Sequence, residues 1–375
     1  MTAPTPVTML PTLTGLRGIA ALAVLFYHIR SAMTGFLPEQ GITILAQGYL
    51  AVDLFFVLSG FVLWWNYGAL FAERGIRAAP HFIVRRFARI FPLHVAILSA
   101  MALFAVALIV SGRDPGAHYS FAALPAHYLL IQNWGSGDAL AWNDPAWSIS
   151  TEWAAYLLLA VAGGWLARLR IGAWSFPLLA LAMSVAIGWW FAATGRTSIG
   201  SDIPATGLLR CLVEFGLGII LCQWWTEQRQ RRHGTAIIYA TALGLTGAGA
   251  LLLIGVQWQP AAVPLIMAAI VIAALQAATA KRPLLSGRVA QWLGDISYAV
   301  YLSHFFLWIL YKLFFVDDPA NVAPTGILAF VLLTLAVSHL LHIALEVPGR
   351  RIAQRVGDRL FTAPPIVDAV GRSER

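Results

Sequence analysis

Residues 13–29 read LTGLRGIAALAVLFYHI, an apolar run that carries one arginine, Arg17, and one histidine, His28. A hydrocarbon core of about 30 Å takes about 20 residues of helix, and the segment 11–31 around this run meets that length. The pattern predicts a membrane-spanning helix. Ionisable side chains at such depth are expensive and usually serve a function. Arg17 and His28 stand eleven positions apart, three turns plus about 20° of helix, so they share a face and lie about 16 Å apart along the axis. Two readings stand for each. Arg17 is an anchor that snorkels to the interface or a member of a buried site; His28 is an interfacial histidine bonded to a carbonyl or a catalytic base.

Outward from this run, nine more segments are long and apolar enough to span: 48–68, 90–111, 147–167, 173–193, 206–226, 235–255, 261–280, 294–316 and 324–346. The stretch 118–133 is shorter, holds His118, Pro125 and His127, and reads as an interfacial or half-inserted helix. Composition agrees with a membrane solvent. Hydrophobic residues make up 59% of the 375 and charged ones 11%, against about 25% charged in an ordinary soluble domain. The fold class is therefore an all-α polytopic membrane protein of about ten transmembrane helices.

The charges orient it. If both termini are cytoplasmic, the loops 69–89, 168–172, 227–234, 281–293 and the tail from 347 hold 19 Lys and Arg, while the opposite loops hold Arg30, Arg113 and Arg196. That asymmetry is a positive-inside signal, and an eleventh span at 118–133 would destroy it. The net charge of +8 thus belongs to the inner membrane face, which argues against a nucleic-acid partner. Cys211 and Cys222, about 16 Å apart on one helix, are too distant for a disulfide and have no metal-ligand spacing beside them, so they read as packing residues. The first dozen residues lack the basic charge and cleavage site of a removable signal peptide.

Other spans carry polar residues of their own. GYLAVDLFFVLSGF (48–61) puts Asp53 about one turn inside the second span. There it is either a carboxylate favoured by the helix dipole or a partner that steadies a His28 cation. HFIVRRFARIFPLH (81–94) stacks Arg85, Arg86 and Arg89 at the inner end of the third span, as topology alone requires or as a phosphate site would. WSISTEW (147–153) places Glu152 one turn after Ser148, and GDISYAVYLSHFFLW (294–308) places Ser297, Tyr301 and His304 on one stripe.

Together these strings, with Arg17 and His28 and the closing LEVPGRR (345–351), resemble acyltransferase family 3 over residues 12 to about 351. The resemblance implies an integral membrane enzyme that moves an acetyl or other short acyl group from cytoplasmic acyl-CoA to a carbohydrate or natural-product hydroxyl. The donor is a co-substrate, with no permanently bound cofactor or metal, and the setting is a bacterial-type inner membrane. It further implies His28 as the essential histidine, Arg17 as its partner arginine, Arg86 and Arg89 as the paired loop arginines, and Glu152 as the glutamate of the tryptophan–serine motif. Combining both lines, the expected catalytic residues are His28, Asp53 and Glu152. Arg17, Arg85, Arg86 and Arg89 are expected to hold the donor, and Ser148, Tyr301 and His304 the substrate. A transmembrane acyltransferase domain over 1–351 and a cytoplasmic tail over 352–375 complete the expectation. The alternatives are a transporter or flippase, which intramembrane charges also suit, and a non-catalytic scaffold or receptor.

Overall fold

The computed structural model describes residues 10–135, 138–169, 172, 174–255, 258–278 and 283–360, with side chains to 356. The chain forms α1 (Pro11–Ile29), α2 (Glu39–Ala46), α3 (Ala51–Arg74), α4 (Ala79–Val110), α5 (Leu124–Tyr128), α6 (Ala146–Leu166) and α7 (Ser175–Ala193). It continues through α8 (Ile203–Gln228), α9 (Gly234–Ala250), α10 (Gln259–Ala278), α11 (Arg288–Phe315), α12 (Pro324–Leu341) and α13 (Val347–Leu360). Nine helical runs among the described residues are long and apolar enough to cross a membrane. One of them, Glu39–Val110, is 72 residues long and folds back at Gly75, whose φ of +55° only glycine adopts without strain, so it supplies both α3 and α4. Each of the ten expected segments therefore coincides with a helix.

One correction concerns the stretch 118–133. The stretch 118–133 is a 3-10 turn (Phe121–Ala123) followed by the five-residue α5, then turns, far short of a half-inserted helix. Side chains hold it instead: the His94 ring meets the His127 carbonyl at 2.7 Å, and the Trp142 indole donates to Ser120 at 2.8 Å. The expected boundary at 351/352 falls inside α13, where Ala353 is buried. The expected signal-free start lies mostly outside the described residues, as do residues 361–375 of the tail.

Membrane helices gain little from hydrophobic association with one another, so close backbone approach between small residues holds them together. A Cβ added to Gly60 of α3 would stand 1.9 Å from the Phe215 carbonyl of α8, and one added to Gly218 would stand 2.1 Å from the Val57 carbonyl. The α1–α11 pair is just as tight: a Cβ on Gly294 would meet the Thr14 carbonyl at 2.1 Å. These two contacts, the most extensive among the described residues, bring the ionisable residues of four helices face to face. Cys211 and Cys222 are buried reduced thiols, as expected of packing residues.

Candidate active site

The α1–α11 seam settles what Arg17 and His28 meet. Arg17 Nη2 donates to Ser297 Oγ at 3.2 Å, and His28 Nδ1 lies 3.1 Å from His304 Nε2. The stripe on α11 thus works position by position: Ser297 takes Arg17, Tyr301 takes Ser148 at 2.7 Å, and His304 takes His28.

The imidazole tautomers follow from the carbonyls nearby. His304 Nδ1 sits 2.9 Å from the Val300 carbonyl and His28 Nδ1 sits 2.9 Å from the Val24 carbonyl. A carbonyl only accepts, so both Nδ1 atoms carry hydrogen. His304 Nε2 is then an acceptor, His28 Nδ1–H is shared between it and Val24, and His28 Nε2 is left with its lone pair. A neutral imidazole held by Nδ1 with a bare Nε2 has the form of a general base.

Two cavities open on this seam. One, of about 150 Å³, is lined by Arg17, Arg86, Arg89, Glu152, Ser148 and Ser297 among others. The second, of about 430 Å³, is lined by His28, Arg30, Tyr49, Asp144 and Arg210 among others. Val52 and Tyr301 belong to the walls of both.

Several expected partnerships are different in the structure. Asp53 does not steady His28: Arg210 of α8 grips it through Nε and Nη2, both at 2.6 Å, with both side chains fully buried. A buried carboxylate in lipid takes the nearest guanidinium, because desolvation leaves it no tolerable unpaired state. Glu152 lines the arginine cavity rather than the histidine cavity and accepts a hydrogen bond from Ser59. Ser148 and Glu152 do share one cavity, as their spacing implies. Of the three arginines on α4, Arg86 and Arg89 line the arginine cavity, and Arg85 is buried outside its wall. Arg86 donates to the Tyr67 hydroxyl at 3.1 Å, and Arg89 is bonded to Glu346. Glu346 sits in a π-helical turn, His342–Glu346, and is also bonded by Arg350 at 2.9 Å. Arg17 has no carboxylate bonded to it among the described residues.

Arg210, Glu214, Glu346 and Asp144 were missed by sequence reasoning. For the first two the signal was present: Arg210 and Glu214 are charged residues deep in an apolar span, and Glu214 is fully buried beside Asp53 and Arg210. Glu346 lies at the edge of the last span and Asp144 in a loop, where carboxylates are unremarkable.

A model of the acyltransferase domain matches residues 10–343. The acyltransferase MdmB of Streptomyces mycarofaciens is 30% identical over 397 aligned positions, covering 94% of each chain. Protein 2 in the picA locus of Rhizobium radiobacter is 37% identical across 42% of this chain and 82% of its own length. The peptidoglycan O-acetyltransferase OatA of Listeria monocytogenes is 26% identical across 40% of this chain and 24% of its own. No solved structure matches.

Proposed function

The chain belongs to acyltransferase family 3, and from that premise we propose that it transfers an acetyl or other short acyl group from acyl-CoA to a hydroxyl of a carbohydrate or related acceptor. It is a multi-pass membrane acyltransferase. Both termini face the cytoplasm, in line with the loop charges, and the membrane is the inner membrane of a bacterial-type cell.

The observation that carries the reading is the meeting of two cavities of opposite character at Tyr301. In the arginine cavity, Arg17 has no carboxylate bonded to it among the described residues, while Arg89 is matched by Glu346. Surplus guanidinium charge inside a membrane calls for an anion, and the phosphates of coenzyme A supply one from the side where Arg86 enters. The histidine cavity lies at the other end of α1, where His28 offers Nε2 to an acceptor.

Transfer then needs one proton and one bond exchange. The acceptor hydroxyl gives its proton to His28 Nε2 as its oxygen attacks the thioester carbonyl. The C–S bond breaks, and the imidazolium returns the proton to the departing thiolate. His304 keeps the ring in the required tautomer, and Tyr301 with Ser148 stands where donor and acceptor meet. Asp53 enters only through Arg210, which walls the acceptor side. The transporter alternative gains nothing from relatives that are named as acyltransferases.

The test is direct. Purified protein in nanodiscs is given radiolabelled acetyl-CoA and a panel of carbohydrates, and labelled ester is sought. Ester formation that requires both His28 and the membrane protein supports the reading; no consumption of acetyl-CoA with any acceptor defeats it.

A further inference from the structure

We infer that Asp144 is the acceptor-reading residue of the histidine cavity, and that the acceptor ring it reads is an uncharged polyol; this rests on the acyltransferase reading above. Asp144 lies in the loop before α6, and the fold takes trouble to place that loop. Asn143 Nδ2 donates to the Leu302 carbonyl at 2.9 Å, and the His118 ring meets the Trp142 carbonyl at 2.5 Å. Trp142 is fully buried at a φ of +60°. A bulky residue held left-handed costs about 1–3 kcal/mol and marks a segment over-determined by its surroundings. The loop therefore presents Asp144 on a stiff support.

The carboxylate it presents is unclaimed. Among the described residues no cation is paired with Asp144 and no donor is bonded to its side chain. The two guanidiniums on the same wall are engaged elsewhere: Arg210 by Asp53, Arg30 by the Tyr27 carbonyl with its face 4.2 Å over the Tyr27 ring. A carboxylate lining a cavity without its own donor is an acceptor-only group awaiting hydroxyls. Its burial also pushes its pKa up to about 6, which a hydroxyl donor would bring back down.

The wall as a whole specifies charge. Asp144 and Arg30 cancel, Arg210 is neutralised by Asp53, and Tyr49 and Ser198 offer hydroxyls that donate or accept. An anionic acceptor would face Asp144, and a cationic one would face Arg30. A neutral ring with adjacent hydroxyls satisfies donors and acceptors together, and the rings of Tyr27, Tyr49 and Trp147 give it apolar walls. At about 430 Å³ the cavity falls within the range of about 300–1,000 Å³ usual for small-molecule sites.

The experiment offers full-length protein in nanodiscs three probes with acetyl-CoA: a methyl hexopyranoside, the matching methyl amino-hexopyranoside and the matching methyl hexuronide. CoA binding, measured by calorimetry, reports folded protein. Wild type is expected to prefer the neutral glycoside at least ten-fold in kcat/KM. Asp144→Asn is expected to raise the KM for that glycoside about ten-fold or more, the loss of a hydrogen bond to a charged acceptor, with the KM for acetyl-CoA moving less than two-fold. Asp144→Glu, which keeps the charge, should recover part of the loss. Equal or better use of either charged glycoside by wild type overturns the inference, as does an unchanged glycoside KM in Asp144→Asn. Acetyl-CoA left unconsumed by wild type with all three defeats the acyltransferase reading itself, a separate result.

Discussion

His304 Nε2 lies 3.1 Å from His28 Nδ1, and each ring is tied by its own Nδ1 to the carbonyl one helical turn before it. Each histidine is therefore held to its own helix, and the pair fixes which nitrogen of His28 is basic. His28→Ala is expected to lower transfer about 10²–10⁴-fold, the usual weight of a general base, with donor binding retained. His304→Phe, which removes the acceptor for His28 Nδ1–H but leaves Val24, is expected to cost less, and its loss should lie in kcat. Rates normalised to CoA-binding protein decide; full normalised activity in His28→Ala would remove the histidine from the chemistry.

Asp53 is expected to behave as a structural residue. Removing one partner of a buried ion pair costs about 3–5 kcal/mol, so Asp53→Asn should unfold at markedly lower temperature in detergent. Replacing both partners, Asp53→Leu with Arg210→Met, should recover much of that stability. A variant Asp53→Asn with native Tm and lost turnover would return Asp53 to the catalytic group.

The donor side separates its arginines. Arg17→Ala and Arg86→Ala should each raise the KM for acetyl-CoA about ten-fold or more, since each contact to a phosphate is charge-assisted. Arg89→Ala should also loosen α13, because among the described residues Glu346 then keeps Arg350 and His342 alone. Limited proteolysis of the C-terminal segment alongside donor kinetics reads both effects. Donor KM unchanged in Arg17→Ala and Arg86→Ala would leave the cluster with a topological role alone.

Orientation is open to single-cysteine labelling. In a background lacking Cys211 and Cys222, Asp138→Cys should react with an impermeant maleimide from outside intact cells. Ile76→Cys, in the exposed turn between α3 and α4, should react only after permeabilisation. The reverse pattern would invert the bundle and place the donor cavity on the wrong side.

Acid should weaken acceptor binding. The groups facing Asp144 across its cavity are Tyr27 and His28 from α1, Arg30 just beyond its end, Tyr49, Arg210 from α8 and Tyr301 from α11. With a folded pKa of about 6 against an ordinary 3.8, the folded protein binds the extra proton between those values. Asp144 therefore favours the folded state most below pH 4, and that contribution fades as pH rises through 6. Acceptor affinity runs the opposite way, gaining as the carboxylate ionises. The glycoside KM should fall as pH is raised from 5 to 7, and Asp144→Asn should flatten that profile. A slope unchanged in the variant would assign it to another group.

How much of this was legible in the sequence differs between fold and site. The spans were legible because apolar length is local information, and every expected segment has its helix. So was the inward stripe of Ser297, Tyr301 and His304, which rests on helical period alone. Partnerships across helices were not. Asp53 on α3 meets Arg210 rather than His28 because Gly60 and Gly218 pull α3 against α8, a contact that spacing along one helix does not encode. Arg89 meets Glu346 for a similar reason, and the loop from 111 to 145 has no periodicity to read.

The sequence separation of these pairs has a consequence for how the protein is made. Asp53 and Arg210 are 157 residues apart, Arg89 and Glu346 257, and His28 and His304 276. At translation speeds of about 5–20 residues per second, Asp53 enters the bilayer about 8–30 s before its counter-ion leaves the ribosome, and Arg89 waits longer still. During that interval the nascent helices carry unmatched charge, so the early half is held by the insertion machinery or stays at its water-filled edge. The arginine cavity closes only when the last few helices arrive, so a chain released early lacks it however well its first half has inserted.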